Sequence, residues 1–443
     1  MGQGPQGARI ALVHDWLVTR GGSERVLEVL VELLGYPPIY TLLYQPRAFT
    51  GSPISRCRVE TSGLQRLPGA LSHHRLLLPL MAYVIEQFDL SGYDIVISSS
   101  HAVAKGVLTR SDQLHISYVH TPMRYAWDLY HEYLDGPAVT DPGQRGWEGR
   151  RGAGRRRQPL RRGLKRLMTP AVLHYLRMWD LASAARPDVL VANSRYVARR
   201  IWKTYRRRAH VIYPPVDVER FRAAARGRGA NAVGSTGMHD SPGPDGMPGG
   251  LDGSGASSFP ITPGTYYVTH GRLVDYKRVD LLVQAFNRLG RPLLVVGDGP
   301  ERRHLQALAG PKVRFLGAVD DEALPKYVAN ARAFVFAADE DFGIAPVEAQ
   351  AAGCPVVAYS RGGAAETVVE GRTGVFFHEQ TVDAVARAVH LFEATESGFD
   401  RAAIMEHAAR FGPERFHSEF AELLDRAWRA FCRGGSKNVR ALS

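Results

Sequence analysis

Asp339-Glu340-Asp341-Phe342-Gly343-Ile344-Ala345-Pro346-Val347-Glu348 follows, after one residue, an apolar run at 333–337. The run reads as a short buried strand. Pro346 fits the first turn of a helix, where a missing N–H costs nothing. The stretch is therefore a strand–loop–helix joint, with Glu340 in the loop and Glu348 inside the helix's first turns. Gly343 lets the backbone approach a ligand, and free amides at the helix start favour an anion. In such a joint one carboxylate is placed to meet a sugar and the other to accept hydrogen bonds from a ribose diol. The alternative is a joint with two solvated acids.

The same grammar extends outward. Strands are expected at 266–270, 292–296, 313–316 and 355–359, with helices at 279–289 and 346–352. In the first half, 9–13, 94–98, 115–119 and 189–192 are short apolar runs, and 24–34 carries Val26, Leu27, Leu30 and Leu34 at helical spacing. Strands alternating with helices imply a parallel sheet covered on both faces. A chain of 443 residues exceeds what one core usually holds, so two doubly wound, Rossmann-like α/β domains are expected, with a ligand cleft between them. Tyr213-Pro214-Pro215-Val216-Asp217 marks an extended crossing. The division expected is 1–213, then 214–410 with a flexible insertion at 227–264 rich in Gly, Ser and Pro, then 411–443 as a helix packing back toward the N-terminal domain and a basic tail.

Composition removes several classes. No apolar run reaches the roughly 18 residues of a membrane span, and the chain enters its first strand without a secretory pattern, so a cytoplasmic location is expected. Cys57, Cys354 and Cys432 lack CxxC spacing, which argues against a disulfide framework or a metal site. The net charge of +12 is concentrated: residues 145–166 hold ten Arg or Lys and a single acid, Glu148. Apart from Trp147 the run has no interleaved aromatics and no nucleic-acid-binding signature accompanies it, so no nucleic acid partner is expected. It is either a solvated face or loop, or a contact with an anionic membrane surface. Residues 160–181, mixing Leu, Met, Tyr and Trp with Arg and Lys, suit an interfacial amphipathic helix at the inner face of the plasma membrane. A nicotinamide enzyme would need a Gly-x-Gly-x-x-Gly turn, which Val296-Gly297-Asp298-Gly299-Pro300 does not supply.

Three further signals carry chemistry. Gly271-Arg272-Leu273-Val274-Asp275-Tyr276-Lys277-Arg278 leaves the carboxyl end of a strand, where open α/β sheets bind ligands. Arg272 offers a planar fork and Lys277 a point charge for a nucleotide diphosphate; the alternative is a basic loop facing solvent. Gly21-Gly22-Ser23 opens a helix and can present amides to phosphate, or be a purely structural turn with Ser23 as N-cap. Tyr118-Val119-His120-Thr121-Pro122-Met123-Arg124-Tyr125-Ala126-Trp127 ends a strand. There His120 is a candidate to orient a sugar hydroxyl, or a structural histidine, and Arg124 a candidate for a phosphate or acceptor.

Together these residues resemble the retaining GT-B glycosyltransferases of family 4. The likeness rests on Gly-Arg-Leu…Lys, on Glu-x7-Glu enclosing Phe-Gly-Ile-Ala-Pro, on Ala-Gly-Cys-Pro-Val-Val-Ala, and on Gly-Gly-Ala-Ala-Glu-Thr-Val at 362–368. In the first half, Val13-His14-Asp15-Trp16-Leu17, Gly21-Gly22-Ser23-Glu24-Arg25-Val26 and the segment at 120–130 are similar to bacterial mannosyltransferases of O-antigen and exopolysaccharide assembly. The resemblance implies the GT-B fold and α-mannosyl transfer from GDP-mannose with retention, without a bound metal or other cofactor. A UDP- or ADP-sugar is the alternative donor. It implies a glycan or polyprenyl-diphosphate-linked acceptor. By matching position, Arg272 and Lys277 would grip the diphosphate, and Glu340 would meet the sugar with backbone at Phe342, Gly343 and Ile344. Glu348 would hold the ribose, Gly22 would touch phosphate from the other domain, and His120 would sit over the sugar. Arg124 and Tyr125 fall on the acceptor side.

Overall fold

A computed structural model describes residues 7–128, 130, 159–227 and 260–441. Of the basic run at 145–166, the part before 159 lies outside the described residues, as do 228–259 of the Gly-, Ser- and Pro-rich segment. The chain divides into two compact units, Met1–Val216 with Phe411–Ser443, and Asp217–Arg410.

The first unit is built on seven strands: β1 (Ile10–His14), β2 (Ile39–Thr41), β3 (Val59–Thr61), β4 (Ile95–Ser100), β5 (Leu114–Val119), β6 (Val189–Ala192) and β7 (His210–Val211). They pair in the order β3-β2-β1-β4-β5-β6-β7, parallel throughout. Both faces are covered, which is why β4 and β5 are buried along their whole length. Leu12, Ile97, Ile116 and Val191 turn to one face, against Val26, Leu27 and Leu30 of the helix Gly22–Leu33. Ala11, Val13 and Val96 turn to the other, against Met81 and Leu176. The helix Pro413–Arg440 adds Phe416, Phe420, Leu423 and Leu424 to the first face, so this late segment completes an early core. Its helical geometry breaks at Gly434 and Gly435.

The second unit has six strands: β8 (Tyr267–His270), β9 (Leu293–Val296), β10 (Val313–Gly317), β11 (Phe334–Phe336), β12 (Val356–Tyr359) and β13 (Gly374–Phe377). Their order is β10-β9-β8-β11-β12-β13, again all parallel. The helices Val279–Leu289 and Val382–Thr395 bury Leu282, Phe286, Val385 and Phe392 against Tyr267, Val295 and Val357.

In each sheet the strand order reverses beside the first strand, between β1 and β4 and between β8 and β11. Chains leaving those neighbouring strands depart in opposite lateral directions and open a crevice at the carboxyl ends, the usual ligand position in such sheets. Both groups of candidate residues stand at these two points.

Candidate functional site

In the second unit, β8 ends at His270 and the chain turns through Gly271 and Arg272 into a short 3-10 turn, Asp275–Lys277. A pocket there is lined by Thr269, His270, Gly271, Arg272, Lys277 and Phe336 among others. Across the switch point, the loop after β11 carries Glu340, and its Oε1 lies 3.0 Å from Lys277 Nζ. Both side chains are largely sheltered, at 18% and 17% exposure. Burial pushes the Lys277 ammonium down, but the Glu340 carboxylate, Tyr276 and Glu348 together hold its pKa above the ordinary value.

The loop that carries Glu340 is fixed from two sides. Gly343 ends it at φ 79° and starts the helix Ile344–Ala351, a left-handed conformation that side chains resist. Behind it run Gly362 and Gly363. A Cβ on Gly362 would stand 2.2 Å from the Glu340 carbonyl oxygen, and one on Gly363 2.1 Å from that of Phe342. Only hydrogen-bearing positions fit there, and the Gly363 N–H uses the proximity to donate to the Glu340 carbonyl at 2.8 Å. This gives Gly-Gly of the 362–368 motif a physical role: it sets the position of the Glu340 backbone.

Glu348 lies in the second turn of the same helix and is buried. Its carboxylate oxygens stand 3.6 Å from His270 Nε2 and 3.7 Å from an Arg220 nitrogen. Arg220, on the helix Val218–Arg226, also reaches Asp321 at 3.1 Å. The expected quartet is therefore brought together. Arg272 and Lys277 share the pocket, Lys277 pairs with Glu340, and Glu348 meets His270 of the pocket wall. Phe342 is buried and Ile344 half-buried beside them.

In the first unit, His14 ends β1, Ser99 lies near the end of β4, and His120 directly follows β5. Ser99 Oγ stands 2.9 Å from His120 Nε2 and 3.2 Å from His14 Nδ1. His14 Nε2 lies 3.4 Å from Glu24 Oε1. The other oxygen of Glu24 accepts from the Gly21 N–H at 2.9 Å. The cap of this helix is thus Gly21 with Glu24, and Ser23, offered by the sequence as the N-cap, is already helical. Gly22 is exposed in the first turn. Asp15 is buried and accepts four backbone N–H bonds, from His101, Ala102, Val103 and Ala104, between 2.5 and 3.1 Å. His101 stands over the group, its ring centroid 5.8 Å from that of His14 and 6.4 Å from that of His120.

Burial, with His101 and His14 nearby, depresses His120 to a pKa of about 3, so its imidazole is neutral. Burial alone would raise Glu24, but the bond and charge of His14 pull it down to about 2. Asp15 is likewise held below its usual value despite burial, by His101, His14 and the amides. Arg124 and Tyr125 occupy the turn after His120, both half-buried, with Tyr125 packed on the cluster that holds Met123 and Leu176.

Solved structures share this architecture. HepE of Anabaena, in complex with UDP and glucose, aligns with a TM-score of 0.60 at 16% identity, covering 94% of this chain and 99% of that one. The chain has the GT-B fold. Residues 259–411 match the family model described as glycosyl transferases group 1, a span that contains Arg272, Lys277, Glu340, Phe342, Gly343, Ile344 and Glu348 but not Gly22 or His120. A GDP-mannose-dependent alpha-(1-6)-phosphatidylinositol monomannoside mannosyltransferase of Mycolicibacterium smegmatis is 37% identical over 136 residues, 27% of this chain and 36% of that protein. A D-inositol 3-phosphate glycosyltransferase of Mycobacteroides abscessus is 39% identical over 155 residues, 32% of this chain and 34% of that protein. The chain spans about a third of the length of these curated relatives.

The partners of the candidate residues were less visible in the GT-B sequence than the residues themselves. His14, Asp15 and Glu24 stood in quoted motifs without a role, as did Gly362 and Gly363. Ser99, His101, Arg220 and His270 carried no assignment. Their signal is positional: each sits at or just beyond a strand's carboxyl end or on a helix facing it.

Proposed function

We propose that this protein is a retaining hexosyltransferase that takes mannose from GDP-mannose and passes it to a glycan or polyprenyl-diphosphate-linked acceptor of a cell-surface polysaccharide. The observation that carries this reading is the Lys277–Glu340 pair beside Arg272, at the strand-order reversal of the second sheet. A cation and a carboxylate 3.0 Å apart suit the two ends of a sugar diphosphate. Arg272 and Lys277 hold the phosphates, and Lys277 keeps its proton for that role. Glu340 and the backbone of Phe342, Gly343 and Ile344 meet the transferred sugar, while Glu348 takes the ribose. In the first unit, Gly22 presents a helix-start amide to phosphate and His120 serves the reacting sugar.

The step breaks the bond between the sugar's anomeric carbon and the diphosphate oxygen. A bond from the acceptor oxygen forms on the same face, and the acceptor's proton passes to the departing phosphate oxygen. No protein nucleophile takes part. Arg272 and Lys277 neutralise the charge on the leaving group, a duty that elsewhere falls to a bound metal.

GDP-mannose is favoured because the Mycolicibacterium relative is named as GDP-mannose-dependent. A UDP-sugar is the second reading, since HepE is described with UDP and glucose. A thermal-shift screen over GDP-mannose, UDP-sugars and ADP-sugars tests the choice. Stabilisation by GDP-mannose alone is expected, and preference for a UDP-sugar overturns the narrower reading.

We place the protein at the inner membrane face. Among the described residues no helix is long and apolar enough to cross a membrane. Tyr175, Met178 and Leu181 of the helix Pro159–Ser183 are exposed, as are Leu80 and Tyr83 of the adjoining helix Leu78–Val84. Such side chains suit shallow insertion beneath headgroups. Co-sedimentation with anionic but not neutral liposomes is expected; negligible pelleting in both counts against it.

A further inference from the structure

We infer that Arg220 is the positioning residue for Glu348, a fixed cation that aims this buried carboxylate at the ribose of the sugar nucleotide. In the proposed function, on which this step rests, Glu348 takes that ribose. Arg220 stands in the first turn of the helix Val218–Arg226, and three carboxylates flank its guanidinium. Nη1 lies 3.1 Å from Asp321, Nε 3.6 Å from Asp217 and Nη2 3.7 Å from Glu348. The Asp321 and Asp217 side chains are 75% and 57% exposed, so water and salt screen them. That of Glu348 is only 6% exposed. A charge buried there without a partner is costly, so the guanidinium matters most to Glu348.

Arg220 is itself held in place. Its guanidinium carbon lies 4.9 Å from the centre of the Phe221 ring, a cation–π contact. Phe221 is fully buried, and its ring stacks at 18° on that of His270, 6.5 Å away. His270 Nε2 in turn lies 3.6 Å from the second oxygen of Glu348. The acid is thus flanked by Arg220 at one oxygen and His270 at the other, with Phe221 against both. Nη2, the nitrogen facing Glu348, is buried and has no hydrogen-bond partner, and neither has Nε. Orphaned donors are rare in protein interiors and call for an explanation. Contacts that are long in a free enzyme tighten when substrate binds, and a closure of about 1 Å brings Nη2 to hydrogen-bonding distance of the carboxylate. A guanidinium is always charged in proteins, so its pull on Glu348 does not depend on any titration.

Isothermal titration of the full chain with GDP and UDP, each beside its dideoxy analogue lacking both ribose hydroxyls, tests this without an acceptor. The wild type is expected to bind its preferred ribonucleotide more tightly than the analogue. Arg220→Met should weaken ribonucleotide binding on the order of tenfold, the low end for a hydrogen bond to a charged group. Binding of the analogue should change by less than about twofold. In Arg220→Met/Glu348→Gln the loss should not exceed that of Glu348→Gln alone, because the two residues act as a unit. An equal loss on ribonucleotide and analogue, as a merely structural defect produces, overturns the inference, and so do additive losses in the double variant. If Arg220→Met fails to fold, Arg220→Lys, which keeps the charge without the planar fork, carries the same comparison, with a smaller loss confined to the ribonucleotide expected. A wild type that binds ribonucleotide and analogue equally removes Glu348 from the ribose and the inference with it. Binding of none of the four nucleotides sinks the proposed function itself.

Discussion

Gly363→Ala is the substitution whose effect the structure specifies most closely. The backbone there is ordinary, at φ −71° and ψ −21°, so alanine meets no conformational penalty. The whole effect comes from space. The new Cβ would stand 2.1 Å from the Phe342 carbonyl oxygen and 2.2 Å from its Cα, where ordinary contact begins at 3.4 Å. Backbone lies on both sides of the clash, so a loop must move by roughly 1 Å. Overpacking of this kind costs about 1–3 kcal/mol. The displaced loop carries Glu340, and a 1 Å misplacement of a site group costs about 10²-fold in rate. Urea denaturation and donor titration on the same preparation would measure both. Gly398→Ala is the control, since its Cβ would meet nothing within 4 Å, and it should change stability by less than about 0.5 kcal/mol. If Gly363→Ala matches wild type in midpoint and donor affinity, the account of how Glu340 is held is wrong.

His120→Ala should lower transfer on the order of 10²-fold with donor affinity nearly kept, read by steady-state kinetics; an unchanged rate would make His120 structural. Glu348→Ala should remain folded and lose most transfer, because the carboxylate facing His270 and Arg220 is the proposed ribose ligand; full activity would remove it from the site. Acid should destabilise the fold in two windows. His115 and His120 are both pushed by burial to about 3 from an ordinary 6.5, so the unfolded chain takes protons that the folded one refuses. Their contribution is complete above about 6.5 and lost as pH falls toward 3. Glu24, held at about 2 against 4.5, adds a loss below about 4.5. A urea midpoint that rises between pH 7 and 5 would contradict this sign.

What the sequence disclosed depended on how much of each element's reason is local. The helix Val279–Leu289 was readable to the residue, because its apolar spacing and the Gly290 cap lie within it. The central strands were readable as short apolar runs, since burial on both faces leaves no polar alternation to interpret. β2, β3 and β7, of two or three residues, and β13 were missed: they are held by neighbours, not by composition. The helix Gly22–Leu33 begins earlier than expected because its cap uses Glu24, a tertiary partner of His14. The same distinction governs the site. Arg272, Lys277, Glu340 and Glu348 stood in compact motifs with recognisable spacing. Ser99, Arg220 and His270 act only through residues brought near by the sheet order, so nothing local marked them.

In the proposed function the second unit holds a sugar nucleotide through Lys277 and Glu340. Isothermal titration of GDP-mannose into wild type and Lys277→Ala tests it most directly. Loss of one charge-assisted bond, worth about 1.5–3 kcal/mol, predicts affinity weaker by about 10- to 150-fold, with the fold intact by circular dichroism. Equal affinity in the two proteins, or no binding of GDP-mannose to the wild type, would contradict the account.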